Sequence, residues 1–209
     1  MRTRNLKDQR RKALAKSLLG TLALAAAPLA LAADVGSCVG CHGQDGISQD
    51  PNTPTISGAS DFYFENQLFL FQDEGRPCVA DLFAKVDGAP AADHCAVVAD
   101  LSEGDIEGIA AHYAEQPFQA ASQTFDAGQA QAGAAIHDRS CARCHSEAGG
   151  DPADDAGILA GQWIPYLQRS MTDFRDGRRE QPATMEREMT PLSDDDIQAL
   201  AAYYASQGQ

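Results

Sequence analysis

Cys38-Val39-Gly40-Cys41-His42 and Cys141-Ala142-Arg143-Cys144-His145 share one spacing, C-x-x-C-H. In that spacing each residue has a role in covalent haem attachment. Two thiols on one helical turn add across the two vinyl groups of a haem, and the next residue offers an imidazole nitrogen to the iron from the proximal side. The C-x-x-C core also serves redox-active dithiols and zinc sites. A zinc site needs four converging ligands, and a thioredoxin-like site needs a βαβ pattern that this chain lacks. Two copies in one chain point to two covalently bound haem c groups, held by Cys38, Cys41, Cys141 and Cys144 with His42 and His145 on the irons.

The motifs lie 103 residues apart, and other residues recur at the same offset. Gly46 meets Gly149, Gly58 meets Gly161, Tyr63 meets Tyr166, Phe71 meets Phe174 and Arg76 meets Arg179. Further on, Leu101-Ser102-x-x-Asp105-Ile106 matches Leu192-Ser193-x-x-Asp196-Ile197 at an offset of 91, so the first repeat carries 12 extra residues between Arg76 and Leu101. The chain is a duplication. Each half reads as helix, C-x-x-C-H, glycine-rich loop, helix (Asp61–Asp73; Pro165–Asp176), irregular loop and final helix (Ser102–Gln116; Ser193–Gln207), with Ser as the N-cap of the last helix. No β alternation is present, so the expected fold is all-α. The polar segment Phe118–Gln131 reads as a linker, which places the domains at 33–120 and 121–209. A half of that size has little core of its own, and a buried haem supplies an apolar centre.

Charge narrows the partners. The 209 residues carry 30 acids and 16 bases, but residues 1–33 hold seven of the bases and one acid, leaving −20 on the remainder. Such a body is repelled by phosphate backbones and anionic lipid, which excludes nucleic acid and docking to membranes through a basic patch. The basic start is followed by the uncharged Ser17–Ala33, ending in Ala30-Leu31-Ala32, a small-x-small pattern. Residues 1–32 are expected to be a cleaved signal peptide, with no membrane insertion afterwards. An uncleaved anchor is the alternative, weakened by Gly20, Pro28 and the many alanines. Export leaves Cys78 and Cys95 to be read as a disulfide.

These residues resemble a known family, the di-haem class I cytochromes of the cytochrome c4 type, which includes the cytochrome subunit of flavocytochrome c sulfide dehydrogenases. The resemblance runs from Asp34 to Gln209 and rests on Cys38-x-x-Cys41-His42-Gly43 with Asp45-Gly46, Pro54-x-Ile56-x-Gly58, Tyr63, Gly75-Arg76 and LSxxDI, with their counterparts in the second half. It implies two tandem class I cytochrome c domains, each a small helical bundle around its haem, carrying electrons in the periplasm. It also implies a methionine sixth ligand ahead of the LSxxDI element. Met185, seven residues before Leu192, takes that position, and Met189 competes for it. The first half has no methionine there; counting back seven from Leu101 lands on His94, and counting back three lands on Val98. His94 is therefore the expected sixth ligand of haem 1, with a Cys95 thiolate or an open position as alternatives. A Cys78–Cys95 disulfide would pin His94.

Gly157 stands where Pro54 does, and the resemblance gives that proline's carbonyl to the proximal His, so the orientation of His145 is in question. Arg76 and Arg179 read either as partners of haem propionates or as solvated helix-end residues. Tyr63, Tyr166 and Trp163 read as core or haem-edge packing, and His112 and His137 as surface residues.

The expected function is electron transfer between redox proteins, with a flavoprotein, another c-type cytochrome or an oxidase as partners, and no catalysis by the chain itself. Thioether ligation favours ferrous iron relative to a second His, so haem 1 (His42/His94) should have the lower potential and haem 2 (His145/Met185) the higher. Residues 33–120 carry −13 and residues 121–209 carry −7, which suits two different docking faces. The alternatives are the cytochrome subunit of a sulfide- or thiosulfate-oxidising dehydrogenase and, further off, a di-haem peroxidase. The peroxidase needs an open distal site, which a ligating His94 would close.

Overall fold

Among residues 34–78 and 93–208, which the computed structural model describes, helices and turns account for all regular structure and no strand occurs. The expected signal segment, 1–32, lies outside the described residues. The first half contains α1 (Gly36–His42), α2 (Asp61–Gln72), α3 (His94–Val98) and α4 (Glu103–Ala114). The second contains α5 (Ala127–Ser140), α6 (Ile164–Arg175), α7 (Ala183–Met189) and α8 (Asp194–Ser206).

The closing helices α4 and α8 begin in the same way because their sequences do. Ser102 and Ser193 each accept the backbone N–H of the residue three ahead, Asp105 or Asp196, and each aspartate accepts the serine's own N–H at 2.9 Å. This reciprocal capping box satisfies two N–H groups that would otherwise be orphaned, and such a cap is worth about 1 kcal/mol.

The helix faces inside each half also repeat. Phe64, Leu68 and Phe71 of α2 pack on Val98, Ile106, Ile109 and Tyr113. In the second half Leu167 and Met171 of α6, with Phe174 beside them, pack on Met189, Ile197, Leu200 and Tyr204. Tyr113 and Tyr204 are essentially buried, and each phenol faces the first thiol of its own C-x-x-C-H, Cys38 or Cys141. Gly46 and Gly149 both sit at positive φ, and a Cβ on Gly46 would strike the Tyr113 ring, so the first turn after each motif needs glycine.

The α5 helix starts earlier than expected. The expected linker ran to Gln131, but Asp126 caps α5 by accepting the Gln129 N–H at 2.8 Å, so the last five residues of that stretch are helical. Their small side chains hide the apolar period. They also permit the packing, because at Gly133 a Cβ would run into the Ala199 carbonyl and the Tyr203 side chain of α8.

The halves are stitched together by side chains of which only Trp163 is singled out in the sequence, and there as packing. Gln162 makes a two-way bond to Thr55, accepting its N–H at 3.0 Å and donating to its C=O at 2.9 Å. Trp163 donates its indole N–H to the Ser48 carbonyl, and Arg169 donates to the Asn52 carbonyl at 2.7 Å. Backbone bonds from Tyr166 to Pro51 and from Glu180 to Gly75 continue the seam.

Candidate haem-binding sites

α1 carries the first motif. Cys38 and Cys41 are free thiols, each raised above the usual thiol range by burial. His42 is buried, and its Nδ1 lies 2.9 Å from the Pro54 carbonyl oxygen. A carbonyl only accepts, so Nδ1 is the donor and a neutral ring keeps the lone pair of Nε2 available. Burial, followed by the field of Arg76, holds the His42 pKa below its ordinary value.

His94 opens α3, just after Asp93, whose carboxylate caps the helix through the Ala96 N–H at 2.8 Å. Its ring stacks on Phe71 at 3.8 Å and stands 6.4 Å from the His42 ring with the planes at 81°. Burial, with smaller contributions from His42 and Arg76, pushes its pKa down to about 3, so the ring is neutral across the ordinary pH range. An imidazole nitrogen binds a first-row metal at about 2 Å, which puts the ring centre about 3 Å from the metal. Two rings facing each other across one metal therefore stand about 6 Å apart, the separation found here. Cys78 and Cys95 are joined in a disulfide, so Cys95 carries no free thiolate toward the iron and the bond fastens the residue next to His94.

The second motif follows the end of α5. Cys141 is the C-cap residue, and the turn stays wound through bonds from the His145 N–H to the Cys141 carbonyl at 3.0 Å and from the Cys141 N–H to the His137 carbonyl at 2.8 Å. Cys141 and Cys144 are free. The buried Nδ1 of His145 has no hydrogen-bond partner among the described residues, in contrast to His42. Gly157 stands in the place of Pro54, and a Cβ there would lie 2.6 Å from the Tyr63 hydroxyl of the other half. The tyrosine thus explains the glycine, and the chain from Ser146 to Asp155 takes left-handed conformations at Glu147, Ala148 and Asp155.

The repeat also orders the two methionines. Met185 and Met189, four apart on α7, both line the cavity described below. At the offset of 91 Met189 answers to Val98, and both are core residues at 5% and 2% exposure. Met185 answers to His94.

One continuous cavity of about 790 Å³ holds both sites, lined by all four free cysteines with His42, His94, His145 and Met185. Arg76 and Arg179 line it too, and neither pairs with a carboxylate among the described residues. Each guanidinium lies over a phenylalanine of its own half, Arg76 over Phe71 at 4.1 Å and Arg179 over Phe174 at 4.2 Å. Buried cations without a counter-charge are costly. A porphyrin with two carboxylates, bound through the free thiols, would supply the missing anions, so the residues present fit haem c. Arg179, only 4% exposed, is not a solvated helix-end residue. Nor is His137 a surface residue: it is 3% exposed, with Nδ1 3.1 Å from the Tyr204 hydroxyl, because the close α5–α8 contact covers it. His112 is half-buried, edge-on to Tyr113 at 4.9 Å. Gln67, which the sequence did not mark, accepts from both Arg76 and Arg179; its counterpart at 103 residues is Ser170, so the repeat carried no signal for it.

Residues 128–203 match the family model described as cytochrome C oxidase, cbb3-type, subunit III. The chain is 30% identical over 176 residues to cytochrome c4 of Azotobacter vinelandii, covering 79% of this chain and 82% of that one. It is 26% identical over 187 residues to a thiosulfate dehydrogenase electron acceptor of Stutzerimonas stutzeri (strain A1501), covering 83% and 80%. The crystal structure of reduced recombinant cytochrome c4 from Pseudomonas stutzeri superposes with a TM-score of 0.66 at 28% identity, covering 83% of this chain and 94% of that one. With its duplicated helical fold and paired C-x-x-C-H sites, the chain belongs to the cytochrome c4 family of di-haem c-type cytochromes.

Proposed function

We propose that the protein is an exported, periplasmic electron carrier of two domains, 33–120 and 121–209, that takes electrons at the first haem and delivers them from the second. Cys38 and Cys41 would hold haem 1 covalently, with His42 and His94 on the iron; Cys141 and Cys144 would hold haem 2, with His145 and Met185. When bound, the haems supply one-electron chemistry at a potential set by these axial ligands. The chain's own part is to hold the ligands, exclude water and compensate charge. The Pro54 carbonyl orients His42 and would make it the better donor to haem 1; His145 has no such partner among the described residues, and with Met185 as the second ligand haem 2 would be the more easily reduced. The pair of His42 and His94 carries this reading, since an imidazole whose ring lies 6.4 Å from that of the proximal residue would fill the distal position a peroxidase keeps open. Among the described residues no helix is long and apolar enough to cross a membrane.

Spectroelectrochemical titration with assignment of the axial ligands tests the proposal. The expected result is two separated potentials, with the sulfur-to-iron charge-transfer band following the higher one. A single shared potential, or a sulfur signature on both haems, overturns the assignment. The likeness to the thiosulfate dehydrogenase electron acceptor supports a second reading, in which the donor is a dehydrogenase bound as a partner. Co-purification with such an enzyme selects it.

A further inference from the structure

Between the two sites lies a cluster that neither haem attachment nor axial ligation explains. Gln67, on α2, accepts two hydrogen bonds on its single amide oxygen: from Arg76 at 2.8 Å and from Arg179 of the other half at 2.6 Å. Tyr63 accepts a further bond from Arg179 at 3.4 Å, and Ser170 bonds the same guanidinium. Two like charges drawn to one neutral oxygen repel each other, the more so because Arg179 is buried and Arg76 half-buried. Their proximity is felt: burial and the Arg179 charge bring the Arg76 pKa down to about 10.

The contacts continue outward on the first side. Arg76 lies over Phe71, and Phe71 stacks on His94. On the second side Arg179 lies over Phe174, and Phe174 and Met185 both pack against the core cluster that holds Met189. An unbroken series of contacts thus joins the neighbourhood of His94 to that of Met185, and Gln67 is its midpoint.

We propose that Gln67 couples the two redox sites, holding Arg76 and Arg179 together so that a change of charge at one haem is felt at the other. The idea rests on the two-haem reading above. Adding an electron at one site draws the nearer guanidinium toward it, and the shared oxygen passes the displacement to the other guanidinium, which changes the potential at the second site. Gln67 is a positioning residue, acting on the sites through Arg76 and Arg179.

The test uses the full haem-loaded protein. Mass spectrometry first counts the haems; a preparation lacking two overturns the functional reading and the coupling with it. Paramagnetic NMR then follows the resonances of one ferric haem while the other is reduced stepwise. The wild type should show a cross-shift. Gln67→Leu, which removes the acceptor, should lose at least half of it. Gln67→Asn, too short to reach both arginines, should also lose it, whereas Gln67→Glu should keep it, because a carboxylate binds both guanidiniums, and should lower both potentials. If Leu and Asn variants carrying two haems keep the wild-type cross-shift, the coupling role fails while the two-haem reading stands.

Discussion

The imidazole rings of His42 and His94 have centres 6.4 Å apart and planes at 81°, one hydrogen-bonded to the Pro54 carbonyl and the other stacked on Phe71. His94→Ala should therefore change only the first site. The ferrous protein should gain rapid carbon monoxide binding at one haem of two, while the charge-transfer band assigned to Met185 stays in place. His94→Met should instead raise the lower potential toward the higher, because a thioether favours ferrous iron. Optical titration with carbon monoxide checks the first variant and spectroelectrochemistry the second. Binding at both haems, or at neither, counts against His94 as the sixth ligand.

The disulfide between Cys78 and Cys95 fastens the residue beside that ligand. A cross-link over a separation of 17 residues stabilises by about 3 kcal/mol in the chain-entropy account. The Cys78→Ser/Cys95→Ser double variant should lose roughly that much in denaturant unfolding. It should also let exogenous imidazole or cyanide compete at haem 1 faster than in the wild type. Unchanged ligand exchange would show that the α3 cap at Asp93 and the stacking on Phe71 hold His94 without help.

The repeat at offsets of 103 and 91 made the middle and closing helices, the serine caps and the two motifs legible in the sequence, because each is a local pattern written twice, whereas the short α3 and α7 fall in stretches that read as irregular loop. What the repeat could not show lies where the halves meet. Gln162, Trp163 and Arg169 each bond a residue of the other half, and Gln67 accepts from an arginine 112 positions away. His137 reads as a surface residue because its cover comes from Tyr203 and Tyr204 of the distant α8, and the close helix contact at Gly133 leaves no apolar period. The start of α5 is hidden for the same reason, and the cap at Asp126 becomes evident only with the helix it starts.

The two capping boxes predict an acid-side loss of stability. Hydrogen bonds from Ser193 hold the Asp196 carboxyl below its ordinary pKa, and those from Ser102 do the same for Asp105. A depressed carboxylate pKa contributes stability above the unfolded value, about 3.9, and that contribution disappears as pH falls through the folded value. Asp196→Asn should therefore lower the melting temperature at neutral pH and flatten its dependence on pH below about 4. Ser193→Ala should cost about 1 kcal/mol at neutral pH. Thermal melts of the haem-loaded protein across pH 2.5 to roughly 7 make the comparison. A variant with the wild-type acid slope would place the loss elsewhere.

Gly157 and Tyr63 supply a test of how the halves constrain each other. A Cβ at Gly157 would lie 2.6 Å from the Tyr63 hydroxyl oxygen and 3.0 Å from the ring carbon bearing it, so the clash is mainly with the oxygen. Overpacking of this kind costs about 1–3 kcal/mol. Gly157→Ala should destabilise by that amount in the wild type and by clearly less in a Tyr63→Phe background, where the oxygen is gone. The single Tyr63→Phe change also removes the weak bond from Arg179, so the double-mutant cycle is needed to isolate the contact. Gly157→Pro should be worse than Ala in the wild type, despite restoring the residue of the first half, because its ring fills the same space. Equal penalties in the two backgrounds would mean that Gly157 is required by the left-handed turns at Glu147, Ala148 and Asp155 instead of by the neighbouring half.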